Sequence, residues 1–350
     1  MKKILLVSFV LVFAAALLVS SIDGSFAAEK KAKKLTKVIL GASPLATWIP
    51  IWAAKEKGYF EEEGLDVEIK IFQNSTKDIL PLLANNSLDV GCGGLNVGFY
   101  NALMQGINLK LVGSEGQNID NFSILVSKKL YTGTKEELKA EHLKGQIFAV
   151  PMKGYPQEIT IDKFLNKYGL TTNDVTLVTM SWPNINAGLA NGSVFGASTT
   201  EPFRFIAIRD NIALEIEKAG SLTPRQQGGA LLFSEKFSKK KKAGTAFMAA
   251  VIRGNRYFKD WEAGKVDDNE FYPIMKKYTS MDNPAILKGL DLGYKDPDAG
   301  LNVEGMKQDL QWYKDHGYIE RTPLLDEIVD LSFVKAALKK VGKYKAGENK

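Results

Sequence analysis

The stretch Lys37-Val38-Ile39-Leu40-Gly41-Ala42-Ser43-Pro44-Leu45-Ala46-Thr47-Trp48-Ile49-Pro50, followed by Val67-Glu68-Ile69-Lys70-Ile71, sets the pattern for the whole chain. Val38, Ile39 and Leu40 form a strand that runs into a loop at Gly41. A helix follows from near Pro50 to Lys57 and stops at Gly58. In Val67 to Ile71 apolar residues alternate with Glu68 and Lys70, which marks a second strand with one wet face. Strand, loop, helix, strand is the repeating unit of an α/β fold built on parallel sheet.

The pattern extends outward. A helix capped at Ser75, a short strand over 88–90, the turn Gly91-Cys92-Gly93-Gly94 and a helix over 95–105 follow, and strands over 109–112 and 122–126 complete a first unit. Thr134-Lys135-Glu136-Glu137 reads as a capping box. The alternation then restarts, with strands over 147–150, 175–179 and 195–198, each leading through a loop toward a helix. Beyond Ser234 strands give way to amphipathic helices over 235–259, 269–278, 303–314 and 324–340, which must cover a sheet already built. The economical path leaves lobe one, builds lobe two, and returns through Gly229 to Phe233. The expected division is an N-terminal signal over 1–27, a linker over 28–36, lobe one over 37–127 plus 227–340, lobe two over 128–226, and a tail over 341–350.

At 350 residues, 45% hydrophobic and 25% charged, the chain has the composition of a globular protein with room for two cores. Its single cysteine, Cys92, allows no internal disulfide. Two histidines, His142 and His316, form no HExxH helix or Cys/His cluster, so neither a metal nor another cofactor is expected. Lys2 and Lys3 precede an apolar run over 4–19 broken only by Ser8, then the small-x-small triplet Ser25-Phe26-Ala27, the layout of a cleavable export signal. Sixteen apolar-run positions fall short of the roughly 20 of a spanning helix, which disfavours the alternative of a retained anchor. Export makes nucleic acid a poor partner despite a net charge of +6, and the basic residues lie in runs such as Lys239 to Lys242 that read as solvated faces.

Particular residues resemble a known family. Lys37 to Gly41 with Pro44, Trp48, Pro50 and Ala53-Ala54, then Lys57-Gly58-Tyr59-Phe60-Glu61-Glu62-Glu63-Gly64-Leu65-Asp66-Val67-Glu68, resemble the opening of exported solute-binding proteins of ABC transporters. The branch includes nitrate, taurine, aliphatic-sulfonate and thiamine-precursor binders. Leu88-Asp89-Val90-Gly91, Leu143-Lys144-Gly145-Gln146, Ala149-Val150-Pro151, Lys167-Tyr168-Gly169-Leu170 and Glu201-Pro202-Phe203 continue the match in order. The resemblance implies a two-lobed, type II periplasmic-binding-protein fold, with each lobe a mostly parallel sheet flanked by helices and a ligand cleft between them. It implies capture of a small oxyanion of sulfonate, nitrate or carboxylate type by lobe closure in the periplasm, and delivery to a permease and its ATPase. A flat heteroaromatic such as a thiamine pyrimidine precursor is the alternative ligand, and a ligand-presenting sensor the alternative role. Thiamine-pyrimidine synthases share the fold, but their cysteine-rich motif and active histidine have no counterpart here, so no enzyme is expected. The protein is expected to act as a monomer, since a transporter must dock both lobes.

Ligands of open α/β sheets sit beyond the carboxyl ends of the strands, where helix N-termini present unpaired N–H groups suited to anionic oxygen. Four loops qualify. The first carries Ser43, Thr47 and Trp48, and the second Gly93, Gly94, Leu95 and Asn96. The third carries Gly154 and Tyr155 beside Lys153, and the fourth joins Ser181 and Trp182 with Thr199, Thr200 and Glu201. Ordinary capping and turn chemistry is the plain alternative for each. The glycines near Cys92 only superficially suggest a dinucleotide motif, because Asn96 stands where it needs glycine. Cys92 itself reads as a small buried residue. Glu201 either caps a helix or faces the cleft in search of a donor, with Lys153, Arg204 and Arg225 the nearby balancing cations.

Overall fold

The computed structural model describes residues 34–345 apart from 74, 119, 120, 280 and 282. The expected signal over 1–27, most of the expected linker and the end of the expected tail lie outside the described residues. Ten strands occur among those described: β1 (Thr36–Ala42), β2 (Leu65–Ile71), β3 (Val90–Gly94), β4 (Leu109–Asn118), β5 (Phe122–Ser127), β6 (Ile147–Val150), β7 (Thr176–Thr179), β8 (Gly196–Thr200), β9 (Ala213–Lys218) and β10 (Gln226–Ser234). They form two five-stranded sheets, ordered β2-β1-β3-β10-β4 and β7-β6-β8-β5-β9.

The opening strand behaves as its alternation predicts. In β1 Val38, Leu40 and Ala42 are buried, and the strand pairs in parallel with β2 from Thr36↔Leu65 to Ala42↔Ile71. Asp66 and Glu68 of β2 face water, where Glu68 meets Lys37 at 2.9 Å.

One expectation needs correction. Phe122–Ser127 was expected to finish the first lobe, but it pairs antiparallel with β8 and β9, so the chain has already crossed to the second sheet. Its uninterrupted run of buried residues suits a central strand in either sheet, and nothing local chooses between them. Each sheet is mixed in the way a mostly parallel one allows: four strands run the same way and a single reversed strand, β10 in the first sheet and β5 in the second, lies antiparallel between two of them.

The late helices cover lobe one, as expected. The long helix Lys241–Glu262 buries Phe247, Met248, Val251, Ile252, Asn255 and Phe258 along one stripe. It shares an apolar core with the Ile49–Glu56 and Ser332–Val341 helices. There Phe233 meets Phe237, Phe247 and Phe333 edge-on, and Trp52 stacks on Tyr278 at 4.5 Å. Ile159, from lobe two, packs into the apolar cluster on the other face of the first sheet.

Candidate functional site

The carboxyl ends of β1 and β3 in one sheet, and of β6, β7 and β8 in the other, carry the four candidate loops. Contacts between the lobes bring several of them together. The Val97 N–H, just after Asn96, donates to the Gly154 carbonyl at 3.2 Å. On the opposite flank the Asp291 N–H donates to Glu201 Oε1 at 3.2 Å.

In the first loop Ser43 is 2% exposed and its hydroxyl has no protein partner. Thr47 is half-buried. Trp48 is core rather than an open wall, at 3% exposure, yet its indole N–H also lacks a partner. Buried polar atoms are nearly always hydrogen-bonded, so orphans at strand ends single out this place.

The second and third loops depart from expectation, because their N–H groups are not open. Thr76 Oγ1 accepts from the Gly94 N–H at 2.9 Å and donates to the Gly94 carbonyl at 3.0 Å. Leu95 N–H donates to Gly228, and Asn96 Oδ1 caps its helix by accepting from Phe99 N–H. Gly154 N–H donates at 2.7 Å to Glu158, a buried carboxylate in the first turn of the Pro156–Asn166 helix. The protein's own acceptors thus fill donors that an anionic ligand was expected to use, and a carboxylate already sits where helix charge favours one. Tyr155 is half-buried, and burial raises its phenol pKa. Lys153 is exposed.

In the fourth group Ser181 is exposed, and Trp182 is half-buried against Phe203, 6.4 Å between ring centroids. Thr199 is fully buried with an unpartnered hydroxyl, whereas the Thr200 hydroxyl donates to Asn121 at 3.2 Å. Glu201 is structural. Its Oε1 accepts from Arg204 at 2.7 Å as well as from Asp291, and its Oε2 accepts from the Phe205 N–H at 3.1 Å. Burial pushes its pKa up against the pull of Arg204. Arg225 is engaged elsewhere, with Gln117 at 2.6 Å.

Sequence reasoning missed several residues here. Glu158 Oε1 accepts from the Tyr318 hydroxyl at 2.6 Å, and Asp162 Oδ2 accepts from Trp312 Nε1 at 2.9 Å, so two carboxylates of lobe two grip donors of lobe one. Glu115, in the second half of β4, pairs with the buried Lys295 at 3.3 Å. A glutamate shortly after the apolar residues that open a strand could have been noticed; Lys295 lies between helices and carries no local signal.

Asp309 is a further buried carboxyl, on the Val303–Asp315 helix, accepting from Gln226 at 2.9 Å. Burial pushes its pKa up to about 7. The folded form therefore holds a proton that the unfolded chain has lost above about pH 4, and stability falls as pH rises between those values. The span corresponds to about 4 kcal/mol at most. Thermal melts from pH 4 to 8 should show this decline in the wild type and a flatter profile in Asp309→Asn.

Cys92 is fully buried, and burial, then Glu115, pushes its thiol well above the ordinary range. His142 caps Lys139 N–H at 3.0 Å and His316 stacks on Trp312 at 3.9 Å, so neither adjoins the thiol. Among the described residues no group of three His, Cys, Asp or Glu is placed to hold a metal, and no helix is long and apolar enough to cross a membrane.

The chain matches the NMT1-like family over residues 31–266. It belongs to that family. The match spans the first sheet, all of the second and the start of the helical return. Bacillus subtilis YtlA, a binding protein by its name, is 23% identical over 248 residues, covering 70% of this chain and 72% of that one. A Haemophilus influenzae protein named for thiamine biosynthesis is 28% identical over 214 residues, covering 59% and 63%. Among solved structures, the Escherichia coli periplasmic aliphatic sulphonate-binding protein SsuA superposes with a TM-score of 0.68 at 16% identity, covering 84% of this chain and 92% of that one. The Synechocystis periplasmic nitrate-binding protein NrtA gives 0.68 at 15%, covering 89% and 90%. At these identities the likeness is one of fold: this chain shares the two-lobed architecture of periplasmic binding proteins. The fold also carries enzymes, since the desulfurization enzyme DSZB superposes at 0.62.

Proposed function

We propose that this chain is the non-enzymatic solute-binding component of an ABC importer, exported by residues 1–27, and that its cleft takes a small flat nitrogen-bearing ring of the thiamine-pyrimidine-precursor kind. The observation that carries the ligand class is the balance of charge. Glu158, Asp162 and Glu201 are buried against only Arg204 and Lys295 among the described residues, beside Asp309, whose burial favours its protonated form. Both cations are already paired with carboxylates. A ligand bearing ring N–H or amino groups suits such acceptor-rich surroundings, and an unpaired anion does not.

Tyr155 and Trp182 offer ring faces, and the orphan hydroxyls of Ser43 and Thr199 can donate or accept at the ring edge. Ligand contacts to both lobes favour the arrangement in which the lobes meet, and this differential affinity drives capture. The relative named for thiamine biosynthesis agrees with this reading. The sulphonate- and nitrate-binding neighbours favour a second one, a small oxyanion held by the same hydroxyls.

A thermal-shift panel separates the two. At 100 times the dissociation constant a ligand adds about 2.7 kcal/mol, several degrees of melting temperature. We expect that shift with an aminopyrimidine and none with taurine or nitrate; the reverse pattern selects the oxyanion.

A further inference from the structure

The Pro156–Asn166 helix of lobe two turns one face to lobe one over its first two turns. Glu158 and Asp162, four residues apart, share that face with Ile159. The two carboxylates are each 5% exposed, and Ile159 packs into the apolar cluster of lobe one that also holds Trp312.

Each carboxylate takes one bond from its own lobe and one from the other. Within lobe two, Glu158 Oε2 accepts from the Gly154 N–H at 2.7 Å and Asp162 Oδ2 accepts from Asn166 Nδ2 at 3.2 Å. From lobe one, the Tyr318 hydroxyl donates to Glu158 Oε1 at 2.6 Å and Trp312 Nε1 donates to Asp162 Oδ2 at 2.9 Å. The bonds inside lobe two fix both acceptors whether or not the lobes meet. The donors are fixed as well: Trp312 stacks on His316 at 3.9 Å and on Tyr318 at 5.9 Å, and Asn101 Nδ2 donates to the Tyr318 carbonyl at 3.4 Å. Groups already held in place lose little conformational freedom on meeting, and hydrogen bonds to an ionised acceptor are the stronger kind. All the partners belong to the protein, so this contribution to closure is present before a ligand arrives.

We propose that the Trp312–Asp162 and Tyr318–Glu158 bonds form an interlobe latch that keeps the ligand-free protein mostly closed, so that a ligand adds to closure instead of creating it. The latched flank begins where Asp309, one turn before Trp312, holds Gln226 at the start of the returning strand β10, and ends where Gly154 meets Val97. Parting the lobes takes one donor from each carboxylate and the apolar surroundings from Ile159. The open form through which a ligand enters is therefore the minor one, and the latch sets its population. It does so whichever ligand the cleft takes.

Small-angle X-ray scattering of the purified, ligand-free protein tests the latch. Trp312→Phe/Tyr318→Phe keeps an aromatic ring at both positions and removes both donors, and should raise the radius of gyration above that of the wild type as the lobes part. Tyr318→Phe alone, which removes a single hydroxyl at a half-buried position and leaves the core intact, should move it the same way by less. Thr160→Val is the control. It removes a buried hydrogen bond of the same helix that lies wholly inside lobe two, from Thr160 Oγ1 to the Pro156 carbonyl at 3.1 Å, and should lower the melting temperature while scattering as the wild type does. Cooperative thermal melts in all three variants separate opening of the lobes from unfolding. An unchanged radius of gyration in the folded latch variants, or an equal rise in Thr160→Val, overturns the latch.

Discussion

Replacing Gly154 by alanine is expected to weaken ligand binding about 100-fold. Gly154 lies in lobe two with φ +73°, and a Cβ there would stand 2.3 Å from Val97 Cγ1 and 2.8 Å from Val97 Cβ, in lobe one. Val97 is β-branched and opens a helix, so it cannot swing aside, and its N–H donates to Gly154 itself. The clash exists only where the lobes meet. Relieving it at a cost of about 2–3 kcal/mol, ordinary for overpacking, lowers affinity by the corresponding one to two decades. Two companions isolate the cause. Gly169→Ala places alanine at a similar φ of +70° with nothing within 4 Å, and should lower stability while leaving affinity unchanged. Gly154→Ala/Val97→Gly, which removes both clashing Val97 atoms, should recover most of the affinity. Calorimetry on the three proteins decides it: undiminished affinity in Gly154→Ala would mean that this contact plays no part in capture.

The second large effect is on stability. Arg204→Met should cost about 3–5 kcal/mol, because it removes one side of a buried charge network and leaves the other. Arg204 is 8% exposed and reaches Glu201 at 2.7 Å, Glu215 at 2.6 Å and the Ser123 hydroxyl at 3.0 Å. Without it Glu201 remains buried, still tied to the Asp291 and Phe205 N–H groups but with no countercharge. The deficit should shrink as pH falls, since a stranded carboxylate binds its proton more readily folded than unfolded, and protonation then favours the native state. Restoring neutrality with Glu201→Gln in the same chain should recover part of the loss. Urea titrations at pH 5 and 8 read both effects, and a deficit below about 1 kcal/mol at pH 8 would show that the network is dispensable.

What could be read from residue order follows the range of the forces involved. The alternation in Val67 to Ile71 and the apolar run at Val38 to Leu40 are local, and both strands stand where they were expected. The split into two sheets with a helical return was legible for the same reason. The sheet to which β5 belongs was not, because its fully buried sequence satisfies either partner. At the site, the loops were locatable from turns and caps, but the state of their donors was not. Glu158 reaches back only four residues to Gly154 and occupies an expected anion site, a choice that depends on how the helix start is turned. Glu201 found its cation in Arg204, one of three candidates that order alone could not rank. Lys295 lies 180 positions from Glu115, a separation at which composition and periodicity carry no information.

Reversible capture of a small nitrogen-bearing ring, without chemistry, is the function proposed for this chain. Equilibrium dialysis of the purified protein against 4-aminopyrimidine, followed by mass spectrometry of the ligand released on acidification, tests that claim most directly. One equivalent per chain, recovered with its mass unchanged, is the expected result. Failure to retain the ring, or its recovery as a product of altered mass, would contradict it.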